Sequence, residues 1–533
     1  MNRSGNAVLD GVVLIAIVFT LGLFAPLVAV LSTAMSGGFQ EVFLGSRVGY
    51  YMDVLGFSLW QAGLSTIGAL LLGLPGAWLL ARRQFPGRRM FRGLTVIPFV
   101  LPPVLMVLGV VLVFGNNGAI NRVLGAIMPG SGPVLRILYS PWAIVVAHAL
   151  YEFPIISRLV AERLETLDPG EEEAARLLGA SRSQVARQII LPEVIPSILS
   201  ASSLVFLLSL LSFVIPLVLG GGPASTTLEV EIYRLARIDV ETSAAAALAI
   251  LQSGAALAVV GILLKVAGTR RFAHQSLRRP PQTRVRVPAQ AYLALVVLLI
   301  GAPLGSVLVR SLRDTVTRAG GLQWTLDGYA RAAELSFSLA ASLVTAIAVS
   351  LLTAFLATVL SHAASRRRMH VMYGLFAVAP LAISSIVLSL GYLRFEQLLG
   401  RGVHTLVLAQ SAVALPFALR ALMPVFDAQP RHAHEAARML GADALQATTH
   451  IDLGIALPSV LGTAAFAFGI SMGEVSAAIM LAPPDWQTLP LTLYRLMAGY
   501  EFTAAAAVGV ILMTVSFLSF MVFDRLGEHG GLQ

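Results

Sequence analysis

Apolar stretches long enough to cross a bilayer recur along almost the whole chain, and they leave it little freedom of fold. They fall near 11–35, 57–81, 94–115, 139–159, 196–220 and 243–267, and again near 289–310, 337–361, 371–393, 403–424, 455–482 and 503–523. Twelve stretches in two sets of six predict an all-α polytopic membrane protein. Of the 533 residues only 12% are charged, against about 25% in soluble domains. That balance leaves no room for a sizeable soluble domain. The first stretch is too long for a signal-peptide core and reads as a retained helix. Cysteine is absent, which excludes disulfides, thiolate metal sites and cysteine nucleophiles.

The net charge of +9 comes from arginine, Lys265 being the sole lysine. Arg82, Arg83, Arg88, Arg89 and Arg92 follow the second stretch. Lys265, Arg270, Arg271, Arg278, Arg279, Arg284 and Arg286 follow the sixth, and Arg366, Arg367 and Arg368 the eighth. With twelve spans these loops share one side with both termini, and the positive-inside rule makes that side the cytoplasm. Basic residues spread over short inter-span loops mark orientation in a lipid bilayer, not a nucleic-acid partner.

One cytoplasmic loop is written twice. Glu173-Ala174-Ala175 leads to Gly179, then after nine residues to Ile189, Leu191 and Pro192. Glu435-Ala436-Ala437, 262 positions on, leads to Gly441, Ile451 and Leu453, with Gly454 in place of the proline. In the first copy Asp168-Pro169 and the acids 171–173 favour a helix start, Gly179 a left-handed stop, and Ser181 the cap of a second helix. Asp443 is the corresponding cap in the second copy. The halves match elsewhere: Pro154 and Arg158 with Pro416 and Arg420, Pro196 with Pro458, Phe57-Ser58-Leu59 with Phe337-Ser338-Leu339, and Tyr233-Arg234-Leu235 with Tyr494-Arg495-Leu496. The expected organisation is a first repeat over 1–267 with its loop at about 160–195, a cytoplasmic linker over 268–288, and a second repeat over 289–533 with its loop at about 425–454. Parallel repeats of this kind are a known transporter plan.

The doubled loop resembles the signature of the integral permease subunits of ATP-binding-cassette importers: Glu-Ala-Ala, three residues, Gly, nine residues, Ile, one residue, Leu-Pro. The resemblance implies a type I importer permease fold with about twelve transmembrane helices. It implies that Glu173, Ala174 and Gly179, and Glu435, Ala436 and Gly441, couple the chain to a homodimeric ATPase on the cytoplasmic side. A periplasmic solute-binding protein would deliver solute to the outer face, for import by alternating access through a bacterial inner membrane. The chain holds no Gly-Lys-Ser/Thr phosphate loop, since Lys265 lies in Leu264-Lys265-Val266. It is therefore expected not to be an enzyme, to carry no catalytic grouping, cofactor or metal site, and to draw energy from a separate ATPase polypeptide.

Over most of its length the chain is similar to the fused, two-in-one permeases of the thiamine and ferric-iron importers. The supporting segments are Phe57-Ser58-Leu59-Trp60-Gln61-Ala62, Arg83-Gln84-Phe85-Pro86-Gly87-Arg88, Leu219-Gly220-Gly221-Gly222-Pro223, Gly473-Glu474 and Thr488-Leu489-Pro490. This implies a small cationic solute, thiamine (or its phosphates) ahead of ferric iron. An ion-driven secondary transporter is the competing class, and it lacks the expected paired charges inside the spans.

Glu474 lies inside the eleventh stretch, where a carboxylate costs about 2.5–3.5 kcal/mol on insertion scales. It is either an anionic contact on the solute path or a helix-packing carboxylate. Its counterpart is Ser212. Glu152 reads first as an interfacial charge near the inner end of the fourth stretch, and second as a path residue. Trp60 and Gln61 are placed at an outer entrance or, for Trp60, in an interfacial aromatic belt. The histidines show no metal-ligand spacing.

Overall fold

The computed structural model describes residues 3–95, 101–128, 133–267, 283–284, 287–314, 323–334, 336–367 and 382–530. Among these, eleven helices are long and apolar enough to cross a membrane. Spans one to six are Asp10–Leu44, Val48–Arg82, Pro103–Ile127, Pro141–Glu165, Arg182–Leu210 and Thr242–Ile262. Spans seven and eight are Ala289–Ser311 and Ser336–Arg366; spans ten to twelve are Val403–Asp427, Ala444–Gly473 and Phe502–Val522. The expected ninth span begins among residues outside the described ones, and its described part is the helix Ser385–Leu399. Most of the expected linker 268–288 also lies outside the described residues. Its Thr283 and Arg284 pair in parallel with Arg83 and Gln84.

The chain forms two compact units whose boundaries differ from those expected of the repeats. One comprises Gly49–Glu231 with Gly254–Val309; the other comprises Met1–Val48, Ile232–Ser253 and Arg310–Gln533. Each unit thus holds the first span of the opposite half. A glycine lies close against the exchanged span in each unit. In the first unit a Cβ at Gly109 would lie 2.6 Å from the Cβ of Pro303 in span seven. Tyr292, also in span seven, donates its hydroxyl to the Leu72 carbonyl and sets its ring edge-on to Phe91. In the other unit a Cβ at Gly391 would lie 2.5 Å from the carbonyl oxygen of Pro26 in span one. There Tyr392 donates to the Leu23 carbonyl at 2.9 Å. A glycine admitting a proline-bearing helix and a tyrosine bonded to a span carbonyl occur in both units, and they seat the exchanged helices.

Spans five and eleven end before their apolar stretches do. Span five stops at Leu210 and a short helix, Val214–Leu219, follows. Span eleven stops at Gly473 and Ser476–Leu481 follows. Ser212 and Glu474 sit in these breaks at equivalent positions. Non-helical backbone at membrane depth persists only where protein or a water-lined cavity satisfies it, so the breaks single out these two positions.

Candidate coupling loops and solute path

The doubled loop is a helix, a glycine corner and a second helix, and its two copies agree to individual hydrogen bonds. The first loop helix is Pro169–Leu177 and the second Arg431–Met439. After the first, Leu178, Gly179 and Ala180 donate to the carbonyls of Ala174, Arg176 and Ala175. After the second, Leu440, Gly441 and Ala442 donate to those of Ala436, Arg438 and Ala437. The corner requires left-handed backbone, with φ of +88° at Gly179 and +97° at Gly441. Next come reciprocal capping boxes, Ser181 with Gln184 and Asp443 with Gln446. One wide π-helical turn follows in each, Ala186–Ile190 and Thr448–Asp452. The starts differ: Asp168 caps the first helix through the Gly170 amide at 2.8 Å, whereas Pro430 offers the second no side-chain cap.

Glu173, Ala174, Glu435 and Ala436 are exposed, as are both corner glycines. Sequence reasoning missed the residues beside them. Leu177 and Leu178 are each 89% exposed, Met439 89% and Leu440 90%. Paired large apolar side chains held almost wholly in solvent form exposed apolar patches, which mark candidate interaction sites. The signal was present as Leu-Leu-Gly and Met-Leu-Gly at the ends of two otherwise polar helices.

Arginines also fasten the first loop. Arg88 and Arg92 both pair with Glu165, and Arg163 pairs with Glu193 at 2.5 Å. Burial pushes the Arg88 guanidinium below its ordinary pKa and Arg92 adds to the effect, while Glu165 opposes both.

The candidate path residues fall into distinct places. Glu152 differs from the expected interfacial charge: it lies near the middle of span four, is 2% exposed, and accepts from Ser209 Oγ at 2.6 Å. The reason is its neighbour on span five, whose hydroxyl satisfies the buried carboxylate. Gln61 is wholly buried and donates to the Ser209 carbonyl at 3.0 Å, so it lines no open entrance. Glu152, Gln61 and Ser209 therefore meet just before the break that holds Ser212. Trp60 faces away from this group. It shares an exposed apolar stripe with Ile67, Leu71 and Trp78, stacks on Phe57 and meets Trp142 edge-on. Glu474 is half-buried. One oxygen accepts from the Ala477 amide at 3.1 Å and the other from Ser385 Oγ at 2.9 Å.

These features define the membrane component of a multi-subunit transporter. The family described as "Binding-protein-dependent transport system inner membrane component" matches residues 69–272 and again 376–528. The chain belongs to that family, and with its apolar helices it is an integral inner-membrane protein carrying the permease domain twice. It is similar to the thiamine transport system permease protein ThiP of Brucella abortus (strain 2308), 28% identical over 515 residues that cover 94% of this chain and 92% of the relative. The protein of that name from Salmonella typhimurium (strain LT2) is 27% identical over 550 residues, covering 98% and 97%. The sulfate transport system permease protein CysW of Synechocystis is 32% identical over 174 residues, covering 33% of this chain and 61% of that one.

Proposed function

We propose that this chain is the permease of an ATP-driven importer of thiamine or its phosphates. Two ATPase subunits, identical to one another, dock from the cytoplasm on Leu177-Leu178-Gly179 and Met439-Leu440-Gly441. Both termini are cytoplasmic. A solute-binding protein delivers the cation to the outer face, and ATP-driven closure of the ATPases moves the loops so that the path opens alternately to each side. The observation that carries this reading is the pair of loops, with the same corner hydrogen bonds and capping boxes, each holding two large apolar side chains in solvent. Thiamine is preferred to ferric iron because the relatives named for thiamine transport align over both halves. Glu474, at the break in span eleven, is the anionic contact for the passing cation. Ser212 is the neutral counterpart, and Glu152 the buried carboxylate that holds the neighbouring break. Trp60 and Gln61 belong to the frame of the outer half.

The test is reconstitution in proteoliposomes with the cognate ATPase and binding protein. Labelled thiamine is expected to accumulate only when ATP is inside and binding protein outside. Accumulation of ferric iron without thiamine would refute the solute. Uptake driven by an ion gradient and indifferent to ATP would refute the class.

A further inference from the structure

Resting on the permease reading, we propose that spans two and eight are transmission rods, pinned to the coupling loops by Arg82 and His362 and to the outer helices by Ser58 and Ser342. The alignment of Phe57-Ser58-Leu59 with Phe337-Ser338-Leu339 places Arg82 and His362 at the same position of the repeat, each at the inner end of its span. Arg82 lies 2.6 Å from Glu172 in the first loop helix. Glu172 is only 9% exposed although Glu171 and Glu173 on either side are in solvent, and Arg176 lies 3.9 Å from its other oxygen. His362 meets Asp452, in the wide turn after the second loop helix, through Nε2 at 2.9 Å. Arg366 takes the other oxygen at 2.6 Å, and the Asp452 carbonyl accepts from Gln429 at 2.8 Å. The His362 ring also stands edge-on to Phe426.

The Asp452 side chain is 2% exposed. The equivalent residue of the first loop is Ile190, also buried. An apolar residue therefore fills this position adequately, and burying a carboxylate with its partners brings no general gain in stability over an apolar side chain. What the ionic arrangement adds is a fixed link between two elements that the chain does not join locally. Spans four and five run directly into and out of the first loop. Span two and the loop share a hydrophobic cluster that includes Ala77, Leu80, Ala81, Val185 and Ile190; Arg82 adds an ionic contact to it, and the span's own continuation is the loop over 83–94.

The far ends of the rods are also pinned. Ser58 Oγ accepts from the Leu228 amide at 2.8 Å, at the start of the outer helix Leu228–Arg237. Ser342 Oγ accepts from the Leu489 amide at 2.6 Å, at the start of the equivalent helix Leu489–Ala498. Thr492 adds a bond to Ser338 at 3.0 Å. Each rod thus carries a displacement of its coupling loop to an outer helix along continuous helical backbone. The link is a contact with a loop carboxylate at the inner end and a bond between a serine hydroxyl and a backbone amide at the outer end, in both halves.

The test uses the whole chain with its ATPase and binding protein in proteoliposomes, measuring solute moved per ATP hydrolysed. Arg82→Gln, Glu172→Gln and Asp452→Asn are each expected to lower that ratio by about tenfold, within the range of coupling between distant sites. Bound ATPase and basal hydrolysis should stay at the parent level. Arg82→Glu combined with Glu172→Arg should restore the ratio, which a merely structural loss would not do. If the inner variants fail to accumulate in the membrane, Ser58→Ala and Ser342→Ala, far from the loops, should lower the ratio in their place. Single variants that keep the parent ratio, or a charge swap that inserts and binds ATPase without recovery, would overturn the proposal. No ATP-dependent uptake by the parent chain would instead overturn the permease reading, and this proposal with it.

Discussion

Gly179→Ala and Gly441→Ala test the coupling corners with little else disturbed. A Cβ at either position meets nothing within 4 Å, so the substitution adds no clash. It acts only through backbone φ of +88° and +97°, which an L-residue with a side chain adopts at a cost of about 1–2 kcal/mol. The three exposed hydrogen bonds closing each corner contribute about 0.5–1.5 kcal/mol apiece in net terms. Strain of that size is therefore comparable with what holds the corner shut. The population of the docked geometry is expected to fall about 5- to 30-fold per site, and the two sites should combine multiplicatively because they share no partner. Gly454→Ala is the control. Gly454 is likewise free of neighbours but lies inside the helix Leu453–Gly473, where alanine is favoured over glycine by about 1 kcal/mol. The assay is binding-protein-stimulated ATP hydrolysis and uptake in proteoliposomes, with membrane abundance and thermal unfolding of each variant alongside. Corner variants should keep abundance and melting temperature and lose uptake per ATP. If Gly179→Ala and Gly441→Ala match Gly454→Ala in uptake per ATP, the left-handed corners do not matter for coupling and the argument fails.

Three further outcomes are expected. Leu177→Ser with Leu178→Ser should weaken ATPase binding more than tenfold, since burying one such side chain is worth about 1.5–3 kcal/mol; unchanged affinity for the ATPase in nanodiscs would exclude this docking surface. Glu474→Gln keeps an oxygen for the Ala477 amide and removes the charge, so it should depress thiamine uptake without lowering the melting temperature, while Glu474→Ala should also lose about 1 kcal/mol of capping; equal uptake by Glu474→Gln and the parent would assign the carboxylate to packing alone. Gly109→Val and Gly391→Val place a Cβ within 3 Å of proline backbone, and each should expose the exchanged span to proteolysis at its ends; an unaltered digestion pattern would count against glycine as the determinant of the exchange.

The parts of this structure that the sequence makes legible are those written in short-range chemistry. Proline and acids after Asp168, glycine at 179 and 441, and Ser181 or Asp443 three residues before glutamine specify the coupling loops almost atom by atom. Other features depend on what a residue meets after folding. The breaks in spans five and eleven fall within apolar runs; Leu211-Ser212-Phe213 contains no glycine or proline to announce a stop, and Gly473 at the other is one of many glycines inside the spans. Exchange of the first spans turns on Gly109 against Pro303 and Gly391 against Pro26, contacts that no periodicity can pair. Glu152 reads as interfacial because its partner Ser209 is 57 residues away. The arginines at 82, 88 and 92 read in the sequence as marks of orientation, and that reading conceals their ion pairs with Glu172 and Glu165.

The comparison of the two repeats separates what the loop geometry needs from what it tolerates. Pro192 stands where the second copy has Gly454, yet the same wide turn precedes both, so proline does not cause it. What both copies share upstream is a capping box that fixes the first turn of the second helix. Outside the corner and the capping box the chemistry diverges: Ile190 against Asp452, Arg82 against His362, Ser212 against Glu474. The last pair bears on the proposed solute path. If that path runs past both breaks, two breaks at equivalent positions, only one of which holds a carboxylate within it, would offer a cation one anionic station there instead of two. A single station lets the proposed cation be held at mid-membrane and then released, whereas a matched pair of carboxylates would double the attraction that release must overcome.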